Sequence, residues 1–388
     1  MSASQNQPIY MDYAAATPVS PAVAAAMQPY FSEKFYNPSA TYLAAVGVKK
    51  DLETARASVA GVLGCKPLEV TFTAGGTEAN NLAIRGAMEQ FPGKKVLVGS
   101  IEHDSVLAAA SLYNHALAPV DGQGLIDLEA LEDLVDDDTV LVSIMLANNE
   151  VGSLQPLHKL SNLIEHIRIE RHRKGIDLPI YLHTDACQAA LYLDLHVSRL
   201  GVDMLTLNGG KMYGPKQSGI LYVKSSVNLA PQIVGGGQER GRRSGTENVA
   251  FAVGFAAALT AAQTNRHTES DRLWELQRKL IKDIKLALPS VIINGSQKHR
   301  LPNNVHITIP GCDNERVLFA LDEAGILAAA GSACSASSEE PSHVLKAMGI
   351  SEQDAQSSLR FTLGSSTDEI AIDTLVKTLA SLHNTHIS

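Results

Sequence analysis

Short apolar and β-branched runs, EVTFT, KKVLVGS, TVLVSIML, IYLHTD, DMLTL and GILYV, recur between residues 43 and 265, and stretches of helical periodicity near 47–63, 77–90, 104–115 and 157–173 separate several of them. Strands joined through helices return parallel to one another, and the helices then cover both faces of the sheet. The alternation therefore predicts an α/β fold of βαβ units around a mostly parallel sheet. Such sheets bind ligands beyond the carboxyl ends of their strands, which makes the residues just after each strand the candidates for function.

At 388 residues the chain exceeds the size at which one hydrophobic core stops growing, so two unequal domains are expected. An alanine-rich apolar helix at about 249–262 is followed by TESDRLWELQRKLIKDIKLAL, whose spacing and early acids read as a long connecting helix. Beyond it, VHITI, NERVLFALDEAG, LRFTL and TDEIAIDTLVKTLASL read as a compact α+β layer. The expected division is a large domain over 20–265 and a small one made of 1–19 and 266–388. Lys and Arg number 32 against 41 Asp and Glu, a formal charge of −9 that argues against a nucleic-acid or anionic-membrane surface and for small-molecule or protein partners. The opening MSASQNQPIYMDYAAATP has no basic segment followed by an apolar core, and VAFAVGFAAALTAA is too short to span a bilayer, so the expected location is cytoplasmic. Cys65, Cys187, Cys312 and Cys334 show no CxxC spacing, and neither a zinc knuckle nor a disulfide framework is indicated.

Three stretches combine residues that suit chemistry. In TFTAGGTEANNLAI a strand runs into Gly75-Gly76-Thr77 and a helix, where close-approaching backbone and exposed N–H groups favour a phosphate. Read alone, the stretch is equally a plain helix capped by Thr77. In HTDACQA, Asp185 and Gln188 stand at a strand's end, where a carboxylate could hold a protonated ring nitrogen or simply occupy an exposed turn. In LTLNGGKMYGPK, Lys211 follows two glycines, and a lysine in a tight cleft is a candidate for a Schiff base because burial frees its amine. A phosphate cradle, a strand-end acid and a cleft lysine, in that order, are what pyridoxal 5'-phosphate needs.

With YMDYAAATPVSP, NPSATY, GGTEANN, EH, NNEVG, GGGQERGRRSGTENV, GSACSASSEEPSHVL and SLRFTLG, the ordered set resembles the fold-type-I pyridoxal-phosphate enzymes of the class V aminotransferase group, and within it cysteine desulfurases of the NifS/IscS kind. The resemblance implies a large domain with a seven-stranded, mostly parallel sheet flanked by helices, with the smaller α+β domain carrying a cysteine loop at about 331–341. It implies conversion of L-cysteine to L-alanine, with sulfur passing to Cys334 as a persulfide, for iron–sulfur cluster assembly or tRNA thiolation. Lys211 would carry the cofactor and shuttle protons. Asp185 would pair with its ring nitrogen, and His103 would stack on the ring and handle protons. Asn149 and Gln188 would lie near the phenolic oxygen, Asn149 also close to the substrate. Gly76, Thr77, Asn208 and Gly210 would serve the phosphate. Thr246 matches a threonine supplied by the neighbouring subunit, which implies a homodimer. Arg360 would grip the substrate carboxylate, for which a bidentate guanidinium is suited. A sulfur-acceptor protein, either an iron–sulfur scaffold or a tRNA-thiolation protein, is the implied partner, with no direct nucleic-acid or membrane contact.

The chain departs from that pattern at Asn208-Gly209-Gly210-Lys211, where the group usually has Ser-x-His-Lys, and Gly210 brings no side chain to the phosphate. Tyr42 stands where a histidine is common, and Gln217 replaces a glycine. Alternative activities at the same site are selenocysteine lyase and cysteine-sulfinate desulfinase. A weakly active docking platform for a sulfur acceptor is a further alternative. Around Cys334 the small residues read as a displaceable loop, anchored at its far end by Pro341 and a helix start at Ser342.

Overall fold

The computed structural model describes residues 8–331 and 341–386, with side chains through Leu382. The strands among these residues are β1 (Ile9–Tyr10), β2 (Val70–Thr73), β3 (Lys95–Gly99), β4 (Asn114–Ala118), β5 (Thr139–Ser143), β6 (Tyr181–Asp185), β7 (Met204–Asn208), β8 (Gly219–Val223), β9 (Ile292–Ile293), β10 (Asn304–Thr308), β11 (Ile326–Leu327) and β12 (Ser358–Thr362). Seven of them form the central sheet in the order β2-β8-β7-β6-β5-β3-β4. The pairs from β4 through β7 are parallel, and β8 is antiparallel to both of its neighbours. This is the mostly parallel sheet that the alternation predicts. Its inner strands are largely buried because both faces are covered, and every residue of β5 and β8 is buried.

The connections decide where a ligand can sit. From β3 the chain moves outward to β4 and then returns to the other side of β3 as β5, so the strand order reverses at β3 and β5. The carboxyl ends of β3, β5, β6 and β7 therefore lie side by side along one edge next to this reversal.

Two readings of local structure needed correction. The helix expected over 104–115 ends at Ala110, and Asn114–Ala118 is the edge strand β4. Most of its residues are exposed, so it carries no apolar run to announce it. The helix at 249–262 and the connecting helix after it are one helix, Val249–Ala287. Nothing between Gly254 and Pro289 breaks it, since that interval contains neither glycine nor proline. The boundary expected at 265 thus falls within a continuous helix, which packs on the helices Leu43–Leu63 and Pro21–Met27.

The C-terminal part forms an antiparallel sheet in the order β12-β10-β9. The N-terminal strand joins this part, because β1 pairs in parallel with β11 and Asp12 bridges to Thr362 at the end of β12. Residues 12–17 then run back toward the central sheet.

Candidate active site

At the end of β6, Asp185 is buried and each carboxylate oxygen holds a donor: Oδ2 accepts from Asn80 Nδ2 at 2.7 Å and Oδ1 from the Cys187 N–H at 2.9 Å. Asn80 belongs to the helix Gly76–Met88, and its Nδ2 also donates to Ser105 Oγ at 2.9 Å. Ser105 in turn contacts His103. The His103 ring caps the helix Asp104–Ala110, with Nδ1 accepting the Ser105 N–H at 3.1 Å. Because Nδ1 is an acceptor there, the neutral ring carries its proton on Nε2. A continuous set of bonds thus joins the ends of β3 and β6.

Lys211 lies one strand further along, in a short helical turn after β7. Asn208 caps that turn, its Oδ1 accepting the Gly210 N–H at 3.0 Å. Lys211 Nζ donates to the carbonyls of Ala14 at 2.8 Å and Ala15 at 2.5 Å, and Gln188 Nε2 donates to the same Ala14 carbonyl at 3.0 Å. The carbonyl of Gly210 accepts both the N–H and the hydroxyl of Thr17. Residues 14–17 therefore hold the lysine-bearing turn against Gln188.

The helix Gly76–Met88 begins beside this cluster. Its N-cap is Gly75, at φ 131° and ψ −176°, a backbone conformation that L side chains rarely adopt. Thr77, considered above as the cap, is the second helical residue and is exposed. A Cβ on Gly76 would stand 2.9 Å from Cys187 Sγ and 3.5 Å from Asn208 Cβ, so close packing requires glycine here. The first turn's N–H groups are left without helical acceptors, as an anion site requires. Gly210 differs, because a Cβ there would meet only ordinary contacts near 3.5 Å, and packing alone does not dictate the missing side chain.

Arg360 projects from β12 and is 1% exposed. Its Nη2 donates to Asp12 Oδ1 at 2.6 Å and its Nη1 to the Asn149 carbonyl at 3.0 Å. Arg360 and Asn149 are thus brought together, through the Asn149 backbone. Thr246 is exposed. Cys334 and residues 332–340 of its loop lie outside the described residues. At the loop's far end, Ser342 caps the helix His343–Ala347 and donates to Glu150 Oε2 at 2.6 Å, while His343 Nε2 contacts the Glu102 carbonyl at 2.9 Å.

Burial shifts several ionisable groups, some of them in the cluster. Burial pushes the Cys187 thiol well above its ordinary range, and Asp185 adds to that, so this cysteine stays protonated and unreactive. Burial also raises the thiols of Cys65 and Cys312, to about 12 and about 11. His183, two residues before Asp185 on β6, sits between Ser143 Oγ and Thr206 Oγ1, and burial lowers it to about 4. Burial raises the Glu102 carboxyl far above the usual carboxylate range, and its Oε1 accepts the Met145 N–H at 2.7 Å.

Sequence reasoning did not single out Asn80, Ser105, Thr17 or Asp12. Asn80 left a trace, since it is a polar residue on the helix face otherwise formed by Ala79, Ala83 and Ala87. Asp12 left none, because its partner is 348 residues away.

Known proteins resemble the chain over nearly its whole length. Residues 9–375 match the aminotransferase class-V family. A cysteine desulfurase, IscS, from Clostridium botulinum is 37% identical over 386 residues, covering 97% of this chain and 94% of the relative. Among solved structures, a NifS-like protein superposes with a TM-score of 0.88 at 31% identity, covering 97% of this chain and all of that one. Another, described as SspA in complex with cysteine, gives a TM-score of 0.79 at 34% identity over 92% of this chain and 98% of its own.

Proposed function

The chain belongs to the aminotransferase class-V family and is a cysteine desulfurase, and from that premise we propose how its residues divide the work. The proposed reaction turns L-cysteine and the Cys334 thiol into L-alanine and a Cys334 persulfide, a balanced transfer of one sulfur atom. The observation that carries the assignment is the row of strand ends. Asp185, held by Asn80 and the Cys187 N–H, stands one strand from the turn that bears Lys211.

We propose pyridoxal 5'-phosphate as the cofactor, which when bound supplies an electron sink for bond changes at the substrate carbons. The residues fit it. A buried carboxylate with both oxygens already positioned suits a protonated ring nitrogen, and the glycine-lined helix start suits a phosphate. Lys211 would hold the cofactor through its amine, with Nζ removing and returning the proton at the substrate Cα. His103, with Nε2 left to donate, would lie against the ring. Asn149 and Gln188 would attend the phenolic oxygen. Gly76, Thr77, Asn208 and Gly210 would bind phosphate largely through backbone N–H groups.

Arg360 would hold the substrate carboxylate, and Cys334 would receive the sulfur. We further propose a cytoplasmic homodimer in which Thr246 completes the neighbouring site. Exposed Phe31, Phe35, Tyr42, Leu43 and Val46 on one short stretch support a second copy as the cover. The sulfur would pass on to an acceptor protein serving iron–sulfur cluster assembly or tRNA thiolation. Among the described residues no helix is long and apolar enough to cross a membrane.

Alanine release from L-cysteine, L-selenocysteine and L-cysteine sulfinate, each with and without Cys334→Ala, tests the proposal. Cysteine turnover that disappears in Cys334→Ala is expected. Selenocysteine turnover that survives the substitution while cysteine turnover stays negligible would overturn it.

A further inference from the structure

We infer that Asp12 is a positioning residue for the substrate carboxylate: it fixes the Arg360 guanidinium, and its charge weakens the arginine's hold on that carboxylate. The inference rests on Arg360 being the carboxylate-binding residue. Asp12 is well placed to fix it. The Asp12 carbonyl accepts the Ala15 N–H at 3.0 Å and the Tyr10 hydroxyl at 2.8 Å, and the same hydroxyl reaches the Ala16 carbonyl at 2.9 Å. The turn that carries Asp12 is therefore closed on itself and pinned to β12 through the bridge to Thr362.

On the other side of the pair, Arg360 is held at two of its three nitrogens, Nη2 by Asp12 and Nη1 by the Asn149 carbonyl. Its Nε is buried with no partner among the described residues. A buried donor of a charged group is costly to leave unpaired, so this nitrogen calls for an oxygen that the described residues do not supply. Nε and Nη2 share one edge of the guanidinium, the edge a carboxylate takes side-on. A ligand that bonds both meets the Asp12 carboxylate at Nη2.

Among the described residues, Asp12 is the ion-pair partner of Arg360. His306, opposite Arg360 in the β10–β12 ladder, is buried with Nδ1 bonded to Asn294, and burial together with the Arg300 and Arg360 cations keeps it neutral. An arriving substrate carboxylate therefore meets an arginine already paired with the Asp12 carboxylate.

Asp12→Asn keeps an oxygen for Nη2 and removes the charge. In the holoenzyme, the KM for L-cysteine and the inhibition constant of L-alanine should both fall about tenfold, the effect of removing one like charge beside a partly buried carboxylate. kcat should not rise, and inhibition by cysteamine, which lacks the carboxylate, should stay the same. A structural role would move all three ligands together. An L-cysteine KM that is unchanged or raised in Asp12→Asn, with melting temperature and cofactor content intact, overturns the inference. Asp12→Ser is read in the same way should Asp12→Asn fold poorly. Arg360→Gln separates the two levels. If it leaves the L-cysteine KM unmoved, the reading of Arg360 fails. If it raises that KM while Asp12→Asn does nothing, only the role of Asp12 fails.

Discussion

Glu239→Gln should destabilise the protein by about 4 kcal/mol although it changes one atom's identity, because it strands a buried cation. Arg56 and Glu239 meet through paired bonds, Nη1 to Oε2 at 2.7 Å and Nη2 to Oε1 at 2.8 Å, with both side chains 3% exposed. The Phe72 N–H also donates to Oε2 at 2.9 Å, and the Phe72 ring lies 4.9 Å from the guanidinium. Burial works against the Arg56 charge, and the Glu239 and Glu53 carboxylates together more than offset it, holding the arginine above its ordinary pKa. A glutamine here keeps one acceptor but turns its NH2 toward donors. Two unit charges about 4 Å apart at an effective dielectric of about 20 interact by about 4 kcal/mol, and breaking buried pairs costs about 3–5 kcal/mol.

With an unfolding entropy of about 2.1 cal/mol/K per residue, a chain of this length loses about 5 °C of melting temperature for that amount if it unfolds in one transition. Calorimetry at low and at physiological salt is the assay, and the loss should be the same in both because a buried pair is poorly screened. Adding Arg56→Met should recover most of the loss, since no unpaired charge then remains. The competing possibility is Glu53, which also accepts from Arg56 Nε, at 3.2 Å, but is half-exposed. If Glu53 suffices, Glu239→Gln melts within about 1 °C of the parent and the reasoning is refuted. Glu239 anchors the loop that leads to Thr246, so the same variant reports on the face proposed for the second copy.

The other predictions concern the site and its surroundings. Gly76→Ala drives a methyl to 2.9 Å from Cys187 Sγ and should cost about 1–3 kcal/mol and weaken cofactor retention, with Cys187→Ala restoring both; a neutral Gly76→Ala contradicts the packing. Asn80→Asp puts a second carboxylate against Asp185, so one of the two must keep its proton, and cofactor affinity read from its visible absorbance should drop at least about tenfold. Burial lowers His183 and His306 to about 4 and about 3, so below about pH 6.5 the unfolded chain binds protons that the folded chain refuses. Stability should therefore fall on acidification from about pH 6.5 toward 4, by about 1.4 kcal/mol per pH unit for each histidine, and His183→Gln should make the decline shallower by one such increment.

The sheet and its ligand edge were legible because fully buried parallel strands leave continuous apolar runs and because chemistry-bearing residues follow them directly. Asp185 and Lys211 could be placed at strand ends from HTD and LTLNGGK alone. β4 was missed because an exposed edge strand shows no such run, and the long helix was divided because its polar middle resembles a linker although it lacks a breaker. The bonds that assemble the site were invisible for another reason. Asn80 to Asp185, Lys211 to Ala14 and Arg360 to Asp12 join residues 105, 197 and 348 positions apart, and no local pattern encodes such pairings. The N-terminal stretch showed its motif, YMDYAAATP, but not its place between the lysine turn and the arginine.

Mass spectrometry of Cys334 after brief incubation of the holoenzyme with L-cysteine, with alanine measured in the same sample, tests the central claim most directly. The expected result is one added sulfur atom on Cys334 alongside alanine, with neither appearing in Lys211→Ala. Alanine formed at full rate while Cys334 stays unmodified, or a sulfur adduct that forms equally well in Lys211→Ala, would contradict it.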